Sequence, residues 1–277
     1  MKKIILINAL VFLIVLSACY REEDKNDHII NENTSEMSGN EQKEATYMPK
    51  EASENEADRS KTPDVPNEEP IVFCGAADPE NAVTLSDEQA LSYLVLVNRC
   101  YRVSDEFEPA DLSPVNVESR RVLEGSHHLL RETAARAAEA LFQAAEAEDL
   151  FLIASSGYRS YEWQTYFYTN AVDTIGLEEA RRVSAVPGHS EHQLGLALDV
   201  STRELEGDLI EAFATTPEGM WVNENAHRFG FIISYPQNRE AETGFIYEPW
   251  HIRFIGVEAA TEIFNHEQIL EAFLWYE

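Results

Sequence analysis

Pro187-Gly188-His189-Ser190-Glu191-His192-Gln193-Leu194-Gly195-Leu196-Ala197-Leu198-Asp199 opens as a polar, Gly-flanked loop and ends as an apolar run closed by an acid. In an extended strand successive side chains point to opposite faces. Leu196 and Leu198 then share one face, and Ala197 and Asp199 share the other. An acid at the tail of an apolar strand costs free energy unless a cation or donors meet it. A second stretch, Tyr247-Glu248-Pro249-Trp250-His251-Ile252-Arg253-Phe254, has the same character. Here His251 and Arg253 share one face, and Ile252 and Phe254 the other. Glu248 lies three residues before His251, so a regular strand would aim it to the wrong face. Pro249 breaks that regularity and lets both reach one place.

Working outward, strands are expected over 196–200, 231–234 and 250–254, and a short one over 150–155. The apolar run 91–97 also reads as a buried strand. Residues 126–148 are rich in Ala, Glu and Arg, with Leu129, Ala137, Leu141 and Ala144 in helical spacing, and read as one amphipathic helix. A second helix with an aromatic stripe is expected over 160–172. Thr216-Pro217-Glu218 starts another, with Pro at the first helical position. One or two helices follow Gly256. Strands and helices do not alternate as in βαβ units. The expected fold class is therefore α+β, a small, largely antiparallel sheet with helices packed around it.

The ends of the chain differ in kind. Lys2 and Lys3 precede an apolar stretch, Ile4 to Leu16, broken only by Asn8. That pattern reads as an export signal, too short for a comfortable membrane span. It ends Leu16-Ser17-Ala18-Cys19, which resembles the lipobox of bacterial lipoprotein signals, with Cys19 as the lipidated residue. Residues 1–19 are read as a lipoprotein signal peptide. Residues 20–70 carry 15 acids and 6 bases and few large apolar side chains. They are read as a disordered acidic tether. Residues 71–277 are read as the folded domain.

Composition limits the partners. The 277-residue chain has 50 Asp+Glu against 21 Lys+Arg, a net charge of −29. That argues against nucleic acid and against a polybasic membrane contact. Membrane association is expected only through a lipid anchor, on the outer face of the bacterial cell membrane, and no protein partner is indicated. Three cysteines are too few for a disulfide scaffold. Cys74 and Cys100 form either one bridge or two buried thiols; only their separation in the fold decides.

Two imidazoles, an aspartate and a spare acid make up a zinc-hydrolase kit. Three ligands leave a position for water, and the spare carboxylate can move protons. Spacing alone leaves a structural reading of each residue open. The order of the motifs narrows this. Ser190-x-His192-x-x-Gly195-x-Ala197-x-Asp199 followed by Glu248-Pro249-Trp250-His251 resembles the VanY-type D-alanyl-D-alanine carboxypeptidases and their LD-carboxypeptidase relatives. Ser156-Gly157-Tyr158-Arg159-Ser160 with Gln164 fits the same pattern, as do Asn225-Ala226, Phe229-Gly230-Phe231 and Tyr235-Pro236. The resemblance implies Zn2+ held by His192, Asp199 and His251, with Glu248 as general base and acid. It implies that Arg159 meets negative charge on the substrate. Gln164, Ser190, Tyr158 and Trp250 are implied around the substrate. His189 is implied as a neighbour of the ligands. The implied substrate is a peptidoglycan stem peptide that loses its terminal D-alanine. An LD-carboxypeptidase acting on tetrapeptides and a non-catalytic wall-binding zinc module are the alternatives.

Overall fold

The four-stranded sheet that carries the site is wholly antiparallel, with order β5-β6-β8-β7. The computed structural model describes residues 74–120 and 128–275, all of which belong to one compact unit. The export signal, Cys19 and the tether lie outside the described residues. In chain order the strands are β1 Val83–Thr84, β2 Tyr101–Arg102, β3 Leu112–Pro114, β4 Leu129–Arg131, β5 Leu152–Ser156, β6 Ala197–Thr202, β7 Phe231–Ile233 and β8 His251–Phe254. The helices are α1 Asp87–Ala90, α2 Glu132–Glu146, α3 Tyr161–Ile175, α4 Leu177–Val183, α5 Pro217–Asn225, α6 Glu240–Thr243, α7 Val257–Asn265 and α8 Leu270–Trp275. Two minor pairs stand apart from the main sheet, β1 with β2 (parallel) and β3 with β4 (antiparallel). The α+β expectation holds.

Leu198 and Ile252, paired across β6 and β8, are buried in the main core with Leu196, Val200 and Phe254. Helix α2 covers that core with Ala134, Ala138, Leu141 and Ala145, a stripe at i, i+4, i+7 and i+11. A second cluster, with Ile232, Ile255, Ala260, Ile263 and Phe273, seats α7 and α8. Local signals set the helix starts. Ser160 Oγ accepts from Trp163 N at 3.4 Å to cap α3, and Thr216 Oγ1 accepts from Gly219 N to cap α5. Such caps contribute about 1 kcal/mol each.

Two expectations are corrected. Residues 91–97 form no strand. Their carbonyls are taken by side chains rather than by a neighbouring strand: Leu91 O by Arg131, and Tyr93 O and Val95 O by Arg253. The run is buried on two sides: Val95 and Val97 enter the main core while Leu94 and Leu96 pack on the second cluster. The 126–148 helix begins only at Glu132. Leu129–Arg131 is strand β4, because its backbone has tertiary partners: it pairs with β3, and Arg131 N donates to Gly195 O. Helical spacing did not reveal that competition.

Cys74 and Cys100 form a disulfide with Cα atoms 5.6 Å apart. It ties the start of the described chain to the loop before β2. No helix among the described residues is long and apolar enough to cross a membrane.

Candidate metal centre

Asp199 of β6 and His251 of β8 are register partners, so their side chains leave the sheet on the same face. Asp199 Oδ1 lies 3.0 Å from His251 Nδ1, and Asp199 Oδ2 lies 3.2 Å from His192 Nε2. His192 comes from outside the sheet, on the turn of 3₁₀ helix Glu191–Leu194. Ser190 Oγ caps that turn by accepting from His192 N at 3.3 Å. Gly195 ends it with φ +66°, where a Cβ would stand 2.8 Å from Leu112 Cδ2. A left-handed residue with no side chain is needed there to pass from the turn into β6. The β5–β6 pairing shifts between Ala154 and Ser156, setting Ser156 opposite Asp199. Such bulges re-aim chains beside functional sites; here the chain leaves toward Gly157 and Arg159.

The donor set fits a metal. His192, Asp199 and His251 each offer an atom within 4.8 Å of the others, and all three are buried. Two atoms sharing a tetrahedral ion at ~2.0–2.1 Å stand about 3.3 Å apart, close to the separations from Asp199 to each imidazole. Each imidazole has its other nitrogen occupied: His192 Nδ1 by Gly157 O at 2.7 Å, and His251 Nε2 by Glu191 Oε2 at 2.9 Å. Burial opposes the charge of Asp199, yet the two histidines hold it well below the usual carboxylate range. Burial also pushes His192 down. Burial alone would depress His251 too, but hydrogen bonds to Asp199 and Glu191 push it up to about 10.

Glu248 stands beside this set without joining it, its Oε2 3.9 Å from His251 Nδ1. His251 N donates to Glu248 O at 3.2 Å, closing a turn with Pro249 in second place. That turn brings Glu248 to the face of His251, as the sequence suggested. Burial pushes the Glu248 carboxyl up to about 8 against the pull of His251 and Arg159.

Arg159 approaches from the other side. Its Nη2 lies 3.8 Å from Asp199 Oδ2, and its guanidinium sits over Phe167, 5.0 Å from the ring centroid. Nη1 donates to Gln164 Oε1 and Nη2 to Ser156 Oγ, while Nε has no hydrogen-bond partner among the described residues. Gln164 lies against Arg159. It is fully buried, and its Nε2 donates to Ala185 O at 2.6 Å and lies 3.3 Å from Ser184 Oγ. Its Oε1 accepts from Arg159 Nη1, so it braces the guanidinium. Tyr158 and Trp250 are each 3% exposed, and Trp250 packs in the main core. His189 is held by Asn98 O at 2.7 Å and lies outside the candidate set.

Three neighbours have no role assigned from sequence, although Tyr235 belongs to the Tyr235-Pro236 motif. Glu191, Ser234 and Tyr235 all touch the His251 surroundings. A possible signal was Glu191 itself, an acid adjoining one predicted ligand, with Arg253 two residues beyond another.

The VanY family, described as D-alanyl-D-alanine carboxypeptidase, matches residues 127–257. The LdcB LD-carboxypeptidase has a solved structure that is 40% identical, with TM-score 0.66, over 70% of this chain and 89% of that one. The chain belongs to the VanY family. Another solved member is a variant of the vancomycin resistance D,D-pentapeptidase VanY in complex with Zn(II). It is 32% identical, with TM-score 0.53, over 66% of this chain and 98% of that one. The YodJ protein of Bacillus subtilis (strain 168) is 42% identical over 65% of this chain, and the match spans 66% of its own length. This VanY-family chain is a zinc peptidase, and its buried His/Asp set fits the ion.

Proposed function

We propose that this protein is a zinc carboxypeptidase that removes the terminal D-alanine from peptidoglycan stem peptides. The observation that carries the reading is the arrangement of His192, Asp199 and His251 with Glu248 on one side and Arg159 on the other. His192, Asp199 and His251 would hold the zinc ion. When bound, the ion supplies Lewis acidity and lowers the pKa of water. Glu248 accepts the proton of the attacking water and returns it to the leaving amine. Arg159 has donor capacity left after Gln164 and Ser156 and attracts negative charge. A substrate ending in a free carboxylate suits that guanidinium, as does a developing oxyanion. The family description and a solved relative in complex with D-alanine-D-alanine support that substrate class. The similarity to LdcB favours a second reading, removal of the same D-alanine from a tetrapeptide. Product analysis separates the two: free D-alanine from a pentapeptide, from a tetrapeptide, or from neither. The last result rejects both.

We also propose that residues 71–277 form the catalytic domain, carried on the acidic tether 20–70 and anchored at Cys19 outside the cell membrane. Small residues before Cys19 support the anchor, and two acyl chains suffice for stable attachment. Cys19→Ser should move the protein from the membrane fraction to the soluble one. An unlipidated Cys19 in the parent would reject the anchor.

A further inference from the structure

His251 has two ring nitrogens, and the fold uses them differently. Nδ1 faces Asp199 and belongs to the candidate metal set, while Nε2, on the opposite edge of the ring, meets Glu191 Oε2 at 2.9 Å. We propose that Glu191 is a positioning residue for the metal centre. It accepts the hydrogen bond of His251 Nε2–H and so keeps that edge of the ring protonated, leaving Nδ1, which faces Asp199, as the edge offered to a metal. This inference rests on reading His251 as a zinc ligand.

Glu191 is held from three sides. Its Oε1 accepts from Arg253 Nη1 at 3.0 Å. Its Oε2 accepts from Ser234 Oγ at 2.7 Å as well as facing His251. A carboxylate paired with a guanidinium only accepts hydrogen bonds. Nε2, facing it, therefore carries a proton; Nδ1 faces Asp199 in the same way and gives up its proton only to a bound metal. With the Nε2 proton kept on the Glu191 side, the proton that a metal would displace is the one on Nδ1, and the ring then offers its Nδ1 lone pair, the form a metal requires. Without Glu191 either tautomer would serve, and the ring would lose the contact that fixes its rotation.

The plain alternative is that Glu191 only neutralises buried Arg253. Arg253 is 0% exposed and does need a counter-charge. Its other nitrogens go to carbonyls, Nε to Phe254 O and Nη2 to Tyr93 O and Val95 O. One carboxylate oxygen satisfies that ion pair. The second oxygen is given to His251 and secured there by Ser234, an arrangement that neutralising Arg253 does not require. His192 shows the contrast, since its outer nitrogen meets only the neutral carbonyl of Gly157. A carboxylate behind an imidazole makes it a more basic ligand than a carbonyl does.

The test uses the full chain loaded with zinc and labelled with nitrogen-15 in histidine. Long-range proton–nitrogen NMR should show His251 with a metal-shifted, proton-free Nδ1 and a protonated Nε2. Chelator competition should then show Glu191→Gln binding zinc ~10–100-fold more weakly than the parent. Ser234→Ala should show a smaller loss in the same direction. Glu191→Gln leaves Arg253 facing a neutral group and can fail to fold. Ser234→Ala leaves that ion pair intact, and it and the parent NMR spectrum then decide. Zinc bonded through Nε2, or parent zinc affinity in Ser234→Ala and in folded Glu191→Gln, overturns the inference alone. Zinc bonded through neither nitrogen of His251, or parent affinity in His251→Ala, overturns the metal-centre reading beneath it.

Discussion

Asp199 and His251 stand directly opposite one another across β6 and β8, and this pairing sets Asp199 Oδ1 3.0 Å from His251 Nδ1. A slip of one residue would put Leu198 or Ile252 in that place and turn the other set into the core. The burial of Leu198 and Ile252 thus fixes the register that builds the site.

Glu248 and His251 are separated by function although they share one turn. Glu248→Gln should retain zinc and lose at least ~10²-fold in turnover, because only proton transfer is removed. His251→Ala should lose both zinc and turnover. Metal analysis beside a D-alanine release assay checks the pair. Release of metal from Glu248→Gln, or turnover at the parent rate, rejects the assigned role.

Arg159 gives a different pattern. Arg159→Ala should keep zinc and lose ~10²–10³-fold in kcat/KM, the scale of removing a donor that meets developing charge. Gln164→Leu should weaken activity less, since it removes the brace at Nη1 and leaves the guanidinium present. Steady-state kinetics on a stem-peptide substrate would rank the two variants, and an equal or reversed ranking contradicts the bracing role.

Glu271 should make stability fall with pH. Burial pushes its carboxyl from 4.5 up to about 7, opposed by a backbone hydrogen bond and by the hydrogen bond from Asn98, and helped by Glu191 and Glu242. The unfolded chain releases this proton first, so the stabilisation is full below pH ~4.5 and is lost as pH rises to about 7. Glu271→Gln should reduce that slope, to which the raised Glu248 carboxyl also contributes, and raise stability at pH 8 by up to a few kcal/mol, on the order set by the shift. Urea unfolding at pH 5 and pH 8 measures it; an unchanged slope counts against the assignment.

The Cys74–Cys100 bridge spans 26 residues. Replacing both cysteines by serine should lower stability by roughly 3 kcal/mol, the entropy of a loop of that size. The metal ligands lie outside the loop, so zinc binding should survive at temperatures where the variant is folded. Denaturant unfolding with and without reductant tests this in the parent.

The ingredients of the site are legible in the amino-acid order: a histidine in a Gly-flanked loop, an acid at the tail of an apolar strand, and Glu248-Pro249 before His251. These are legible because alternation, turn residues and caps act within a few positions. The strands at β5 to β8 and the starts of α3 and α5 follow from the same local signals. The remaining relationships arise from contacts between distant parts of the chain. Asp199 and His251 are 52 residues apart, and Glu191 lies 60 from His251 and 62 from Arg253. No local window contains those pairs. Residues 91–97 and 129–131 were misread for the same reason, since their backbone partners are Arg253, Arg131, β3 and Gly195, all supplied by the folded chain. Backbone groups take whichever partner burial leaves them, and that choice belongs to the whole fold.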